Sequence, residues 1–270
     1  MKKIVDLLFY LITGYSNHEK KLIRYQGYRY NSILIWKRQS DLNWLTVRKL
    51  LNKIEMFDGQ RIRQSICEIV KKNEAVFSSN DLYITSFGSE GKSGGKIVYE
   101  FRHSKLIKEA NFKSSWELAS LPSNSKIIFT DDLIGTGSQS VEFINEKLNL
   151  VLNPSHIPYL FTICATPEGI NNVSNNTNFK VLNGIELTED LYQHYTDVCH
   201  YFNPAEKTKL IKLNNLLKDK DAFDYDRGLL IVFYYSVPNN SMPILWKDGY
   251  KYVDKNGNEK RWYALLPRQF

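Results

Sequence analysis

The sequence predicts an α/β protein in which a parallel sheet is flanked by helices, with a helical extension before it and a hood-like C-terminal segment after it. Three observations predict this. The runs Lys126–Thr130 and Ile157–Ala165 are apolar, β-branched and aromatic without polar alternation, as in strands covered on both faces. A helical pattern lies between them, to about Leu150, which is the arrangement of a strand–helix–strand unit. The first run ends in two carboxylates and a Gly/Thr/Ser loop, at the edge where open α/β sheets take ligands.

Taken in order, residues 1–40 read as an N-terminal extension and residues 41–270 as the main domain. Ile4 to Ile12 resembles a signal peptide only briefly, because Asp6 interrupts it and Gly14-Tyr15-Ser16 is a poor cleavage site, so a first helix or strand is expected. Lys20–Tyr25 and Tyr28–Tyr30 mix basic residues with tyrosines, a pattern that serves either nucleic-acid contact or a solvated helix over core tyrosines. Leu45, Leu50, Leu51 and Ile54 fall at helical spacing between Leu42 and Phe57, and Arg61–Lys72 is again amphipathic. Leu82–Phe87 reads as a strand, Gly88–Gly95 as a glycine-rich loop, Ile97–Arg102 as an alternating strand and Ser104–Leu118 as mostly helix. Beyond Ile157–Ala165, Pro167 opens a helix or turn, Asn171–Asn178 reads as a turn, and Phe179–Gly184 as a short strand. Two helices follow, Glu189–Asn203 and Pro204–Leu217, the second with proline in its first turn. Lys218–Asp221 is a solvated stretch, and Leu229–Tyr235 is a late strand.

With 43% hydrophobic and 24% charged residues, the 270-residue chain can bury a sizeable core, which excludes global disorder. No apolar run approaches the roughly 20 residues of a membrane span. Cys67, Cys164 and Cys199 lie far apart without metal-ligand spacing, so reduced thiols in a cytoplasmic protein are expected. A net charge of +7 favours polyanions or diphosphate-bearing substrates and does not choose between them.

The chemistry concentrates at Asp131-Asp132-Leu133-Ile134-Gly135-Thr136-Gly137-Ser138-Gln139-Ser140. Gly135 and Gly137 allow a tight turn and close approach of backbone N–H groups to a ligand. Thr136, Ser138 and Ser140 add hydroxyls and a helix cap. Amides, hydroxyls and a helix start together make an anion site, and the acid pair beside it suits ribose hydroxyls or a magnesium ion. An unrelated phosphate or metal site, or plain turn chemistry, has the same ingredients.

At these residues the chain resembles the type I phosphoribosyltransferases, whose phosphoribosyl-pyrophosphate (PRPP) motif is an apolar strand, two acids, two apolar residues, a variable position, Thr-Gly and two small hydroxyl residues. Asp131, Asp132, Leu133, Ile134, Thr136, Gly137 and Ser138 match; Gln139 stands where the family usually has Thr. The resemblance implies a phosphoribosyltransferase-like sheet, with Asp131 and Asp132 on the ribose 2′- and 3′-hydroxyls and Gly135–Gln139 around the 5′-phosphate. It also implies magnesium held indirectly through the ligand. Lys92-Ser93-Gly94 looks like the family's pyrophosphate-binding loop and precedes the acid pair as the family order requires. The tail, Ser236–Trp246 with Arg261–Arg268, resembles phosphoribosyltransferase-like domains of bacterial conflict and anti-phage systems, some retron cassettes among them. There Asn239 and Asn240 either offer amide edges to a base or close a turn on their own backbone, and Trp246 either stacks on a ring or packs in the core. The resemblance implies a phosphoribosyl transferase or a PRPP or nucleotide hydrolase. The alternatives are a non-catalytic nucleotide sensor and a partner subunit for nucleic acid or a defence protein.

Overall fold

The computed structural model describes residues 15–29, 32–88, 91–217, 226–253 and 257–268. The run Ile4–Ile12, Tyr30, Ser89-Glu90 of the glycine loop and the stretch Lys218–Asp221 lie outside them. The chain forms two compact units, residues 59–188 and a second unit made from residues up to 58 together with those from 189 onward.

The second unit begins with α1 (Tyr15–Leu22), α2 (Ser32–Ser40), α3 (Trp44–Lys53) and the short strand β1 (Glu55–Phe57). Asn43 caps α3 by accepting from the Thr46 amide, and the predicted helix to Phe57 stops at Lys53, where Ile54 turns extended. Leu45, expected on the packed face, is 63% exposed, while Val47, Leu50 and Leu51 carry the packing. Residues on both sides of position 40 share one core: Tyr15, Ile33 and Trp36 pack in the same cluster as Leu42, Val47 and Leu50. The compact units therefore do not divide where the sequence placed the break, because α2 and α3 bury their apolar faces in the same interior.

The first unit holds α4 (Gly59–Lys72), α5 (Glu74–Phe77), β2 (Leu82–Ser86), α6 (Ser93–Ser104), β3 (Lys126–Ile134), α7 (Ser138–Phe143), β4 (Ile157–Ala165), α8 (Pro167–Asn176) and β5 (Lys180–Glu186). A π segment, Ile144–Leu148, and a last turn, Asn149–Val151, prolong α7. The strands make one parallel sheet in the order β2-β3-β4-β5. This is the α/β fold with a helix-flanked parallel sheet that the sequence predicts. β4 is buried at every position but its first, as its unbroken apolar run requires. Ile127, Phe129 and Leu160 pack with Ile144, Leu148 and Val173 of the helices that follow β3 and β4. Phe161 meets Phe77 and Phe101, from α5 and α6.

Several elements differ from expectation. Residues 97–102 lie inside helix α6 rather than in a strand: Ile97 and Phe101, four apart, are fully buried on its inner face. A six-residue alternation satisfies either period, and the long-range packing decides. α6 ends at Lys105 in the left-handed region (φ 54°), and residues 104–118 form two 3-10 turns, Glu109–Asn111 and Ser115–Ser120, instead of a helix. The asparagine run belongs to α8 up to Asn176, because Gly169 and Val173 bury one side and Asn172 and Asn176 bond to backbone carbonyls on the other.

The second unit resumes with α9 (Glu189–Tyr192), α10 (Pro204–Asn215), β6 (Ile231–Phe233), α11 (Pro243–Trp246), β7 (Lys251–Val253) and β8 (Glu259–Arg261). Only the first four residues of the helix expected over Glu189–Asn203 are helical; Thr196 turns the chain back onto the Gln193 carbonyl. α10 begins with proline inside a reciprocal cap between Asn203 and Glu206. β6 pairs in parallel with β1. Trp36 and Trp262, both fully buried, donate to the same carbonyl of Ile244 and meet edge to face.

Candidate functional site

The site is built at the carboxyl end of β3, where two neighbouring strands part company. β2 pairs with β3 only as far as Ser86 opposite Thr130, whereas β4 continues to Ala165 opposite Ile134. Asp131 and Asp132 therefore sit just past the end of β2, inside a strand that β4 still supports. β3 runs four residues beyond the apolar stretch expected from sequence, so the acid pair is held by sheet pairing rather than in a loop.

Asp132 is buried and Asp131 half-buried. The Asp131 Oδ1 accepts from Ser93 Oγ at 2.6 Å and from the Asp132 amide at 2.9 Å. Burial pushes the Asp131 carboxyl up to about 6, against the opposing pull of those two hydrogen bonds. Ser93 is the first residue of α6, so the predicted Lys92-Ser93-Gly94 loop is in fact the start of a helix. Gly94 explains how that helix comes so near: a Cβ there would stand 2.4 Å from the Thr130 carbonyl and 2.5 Å from that of Phe87. Thr130 Oγ1 donates back to the Gly94 carbonyl at 3.0 Å. Lys92 is exposed in front of this helix start.

After β3 the chain turns through Gly135–Gly137 into α7. Of the two glycines, Gly137 takes the left-handed conformation, at φ 77°. It occupies the cap position of α7 without a capping side chain, and of the three hydroxyl residues expected to cap, Thr136 reaches the helix start: its Oγ1 accepts from the Ser138 amide at 3.3 Å. Thr136 and Ser140 are buried, while Ser138 and Gln139 are exposed at the helix start. The first-turn amides of α7 lack intrahelical acceptors by construction and concentrate partial positive charge there.

The loop is held from behind by α8, which sequence reasoning did not connect to it. Thr166, the cap of α8, donates from Oγ1 to the Gly135 carbonyl at 2.6 Å and accepts from the Gly169 amide at 3.0 Å. Asn172 Nδ2 donates to the Thr136 carbonyl at 2.8 Å. A Cβ on Gly169 would lie 2.2 Å from the Gly135 carbonyl, and one on Gly137 would lie 2.8 Å from that of Gly169. The usable sign was Thr166-Pro167, a cap and first-turn pair that starts a helix directly after a buried strand.

The arrangement brings Asp131, Asp132, the Gly135–Gln139 loop and Ser93-Gly94 to one sheet edge of the first unit. Asn239 and Asn240 belong to the second unit. There the turn Pro238–Ser241 is closed by the Ser241 amide on the Pro238 carbonyl, Asn239 is exposed, and the Asn240 carbonyl accepts from the amides of Arg227 and Leu229. One ring face of Trp246 is covered by the Arg268 guanidinium at 3.7 Å, and its indole donates to the Ser241 carbonyl.

Chemically, the edge offers two carboxylates that accept hydroxyl hydrogen bonds, next to a helix start and hydroxyls that favour an anion. Among solved structures the chain is similar to orotate phosphoribosyltransferase from Aeropyrum pernix, at 11% identity and TM-score 0.33 over 47% of this chain and 69% of that one. It is also similar to UMP synthase of Leishmania donovani, at 12% identity and TM-score 0.36 over 55% and 32%. Superpositions this loose say nothing about what the chain binds. No curated protein matches the chain. The family model PRTase-CE matches residues 33–268, nearly the whole sequence, and the chain therefore belongs to this phosphoribosyltransferase-type family.

Proposed function

We propose that the β3 edge binds PRPP, or a related ribose phosphate or nucleotide, together with magnesium. The observation that carries this reading is the acid pair fixed by strand pairing directly before a glycine turn into a helix start. Asp131 and Asp132 would take the ribose hydroxyls, the Gly135–Gln139 loop the 5′-phosphate, and the α6 start with Lys92, Ser93 and Gly94 the diphosphate. Asn239 and Asn240 of the second unit are our candidate contacts to a nucleobase, through their side-chain amides.

Magnesium is usually held by one or two carboxylates together with substrate phosphates and waters. Two carboxylates stand here, and among the described residues no cluster of three or more His, Cys, Asp or Glu could hold a metal ion. This donor set fits an ion that arrives with a diphosphate, whose charge it would neutralise. The chain's own part in a transfer reaction is positioning: departure of diphosphate leaves positive charge at the anomeric carbon, which a fixed ribose and the carboxylates beside it stabilise.

A second reading is a non-catalytic sensor of the same ligand. It is favoured by Ser93, which already occupies the Asp131 Oδ1, and by Gln139 in place of a hydroxyl residue. We further place the protein in the cytoplasm, as an effector or accessory component of a bacterial anti-phage system; Cys67, Cys164 and Cys199 all stand as thiols. Among the described residues no helix is long and apolar enough to cross a membrane.

Calorimetric titration of PRPP with magnesium, comparing the parent chain with the Asp131→Asn/Asp132→Asn double variant, tests the site. Heat of binding in the parent and none in the variant is expected; equal binding in both, or none in either, overturns the reading. Diphosphate release by the parent then marks an enzyme, and binding without turnover marks a sensor.

A further inference from the structure

The outer face of α6 carries a pattern that the β3 edge does not absorb. Lys96, Tyr99 and His103 recur at the spacing that aligns residues on one side of a helix, and all three are exposed. Exposed Lys92 extends the row at the helix start, and exposed Lys71 of α4 stands in the adjoining groove. The helix's only acid, Glu100, points inward, where it is 2% exposed and bound to Arg63 at 2.6 Å. The outer face thus carries lysines in its first half and contains no carboxylate of its own.

An ordinary solvated face needs only its charges, and this one has more. Tyr99, 53% exposed, and His103 lie ring against ring, with centroids 4.2 Å apart and planes 36° from parallel. The His103 ring is further fixed by contact of Nδ1 with the Tyr99 carbonyl at 3.0 Å. The pair is therefore a preset aromatic platform facing water. Beside it runs a groove of about 460 Å³ lined by Gln60, Arg63, Gln64, Glu68, Lys71 and His103. Its two glutamines offer amide donors and acceptors next to cations.

We propose that the outer face of α6 and the adjoining groove bind single-stranded nucleic acid, its phosphates along the lysine row and a base on the Tyr99–His103 platform. Cations that track a backbone, combined with an aromatic face for stacking, are the two components such binding requires. An acidic protein needs only the cations, whereas the fixed ring pair adds a face on which a base stacks. Only Lys92 is shared with the ribose-phosphate reading, and because the variants below leave Lys92, Asp131 and the Gly135–Gln139 loop intact, that reading stands or falls separately.

The test is fluorescence anisotropy of the full chain with a labelled oligothymidylate of about 15 nucleotides, a length within the site sizes of such proteins. Three phosphate contacts, at Lys71, Lys92 and Lys96, predict about twentyfold weaker binding between roughly 50 and 200 mM salt, and Lys71→Ala/Lys96→Ala is expected to flatten the log–log slope by about 1.4. Tyr99→Ala is expected to weaken binding about tenfold at fixed salt without changing that slope. Lys147→Ala/Lys180→Ala, which removes the same charge from exposed positions elsewhere on the unit, is expected to change nothing. Circular dichroism verifies that each variant is folded. The proposal is overturned by absence of binding, by an equal effect of the Lys147/Lys180 pair, or by a neutral Tyr99→Ala. It is equally overturned if phosphatidylserine vesicles or polyglutamate bind through Lys71 and Lys96 as tightly as the oligonucleotide does.

Discussion

Two backbone segments meet the acid pair, and they combine hydrogen bonds and close backbone contact in different proportions. The turn after β3 owes its shape to hydrogen bonds from another helix: Thr166 and Asn172 of the α8 region hold the carbonyls of Gly135 and Thr136. The start of α6 owes its place to contact, with Gly94 pressed against the backbone of Thr130 and Phe87. At Thr166 and Asn172 the first segment tolerates small errors, because a hydrogen bond stretches, although Gly169 also meets it backbone to backbone. The other tolerates none, because two carbonyl oxygens do not move aside for a methyl group.

This contrast is sharpest at adjacent glycines. Gly94→Ala is expected to destabilise the protein by about 3 kcal/mol or more, since all three close neighbours of the new Cβ are backbone atoms at 2.4, 2.5 and 2.8 Å. Gly95→Ala, with nothing within 4 Å, is expected to stabilise by up to about 1 kcal/mol through reduced chain entropy. Urea denaturation of both variants checks the pair, and equal effects would erase the distinction.

Gly137→Ala comes next. The left-handed conformation at φ 77° costs an alanine about 1–2 kcal/mol, and its Cβ would also press on the Gly169 carbonyl at 2.8 Å. Denaturation midpoints and PRPP calorimetry should both register the change, because the strain lies in the ligand-facing turn. Asn172→Ala removes one support from the same turn and is expected to cost about 1 kcal/mol, as a typical hydrogen bond does. If its cost matches that of Gly94→Ala, the turn is as rigidly seated as the α6 start and the contrast fails.

The smallest effect concerns the bond joining the two segments. Burial raises the folded Asp131 carboxyl from its ordinary 3.8 to about 6, so the fold favours the protonated form. The associated stability is present below the ordinary value and is lost as pH rises through about 6. Ser93→Ala removes a hydrogen bond that holds the carboxyl down, and the loss should then extend to higher pH. Denaturation midpoints measured from acid to neutral pH check this; a profile unchanged from the parent would mean that Ser93 leaves the proton affinity of Asp131 untouched.

How far the sequence revealed this arrangement depended on the kind of force involved. β3 and β4 were legible because strands covered on both faces need unbroken apolar runs, and 157–165 was placed to the residue. Gly137 was legible as a turn glycine because turn chemistry is local, whereas the acid pair lies inside β3, past the strand end expected from the apolar run. α6 was misread, since its helical period is set by burial of Ile97 and Phe101 against the sheet, and six residues of alternation fit a strand as well. The role of Gly169 was invisible for a different reason: its neighbour is the Gly135 carbonyl, and no local rule joins those two positions. Asn172 looked like part of a polar turn because an asparagine's partner is a matter of three-dimensional approach.

The pairing of β1 with β6 bears on how the chain is made. Phe57 and Phe233 lie side by side in that ladder and stack at 5.1 Å, yet the whole of residues 59–188 is synthesised between them. On a ribosome, the early strand emerges long before its partner, while the inserted sheet already has all of its own strands. The order of birth thus favours an insert that folds first, which shortens the effective loop that β1 and β6 must close. The split unit would then assemble last, and truncation before Ile231 should spare the inserted sheet while leaving β1 without its partner strand.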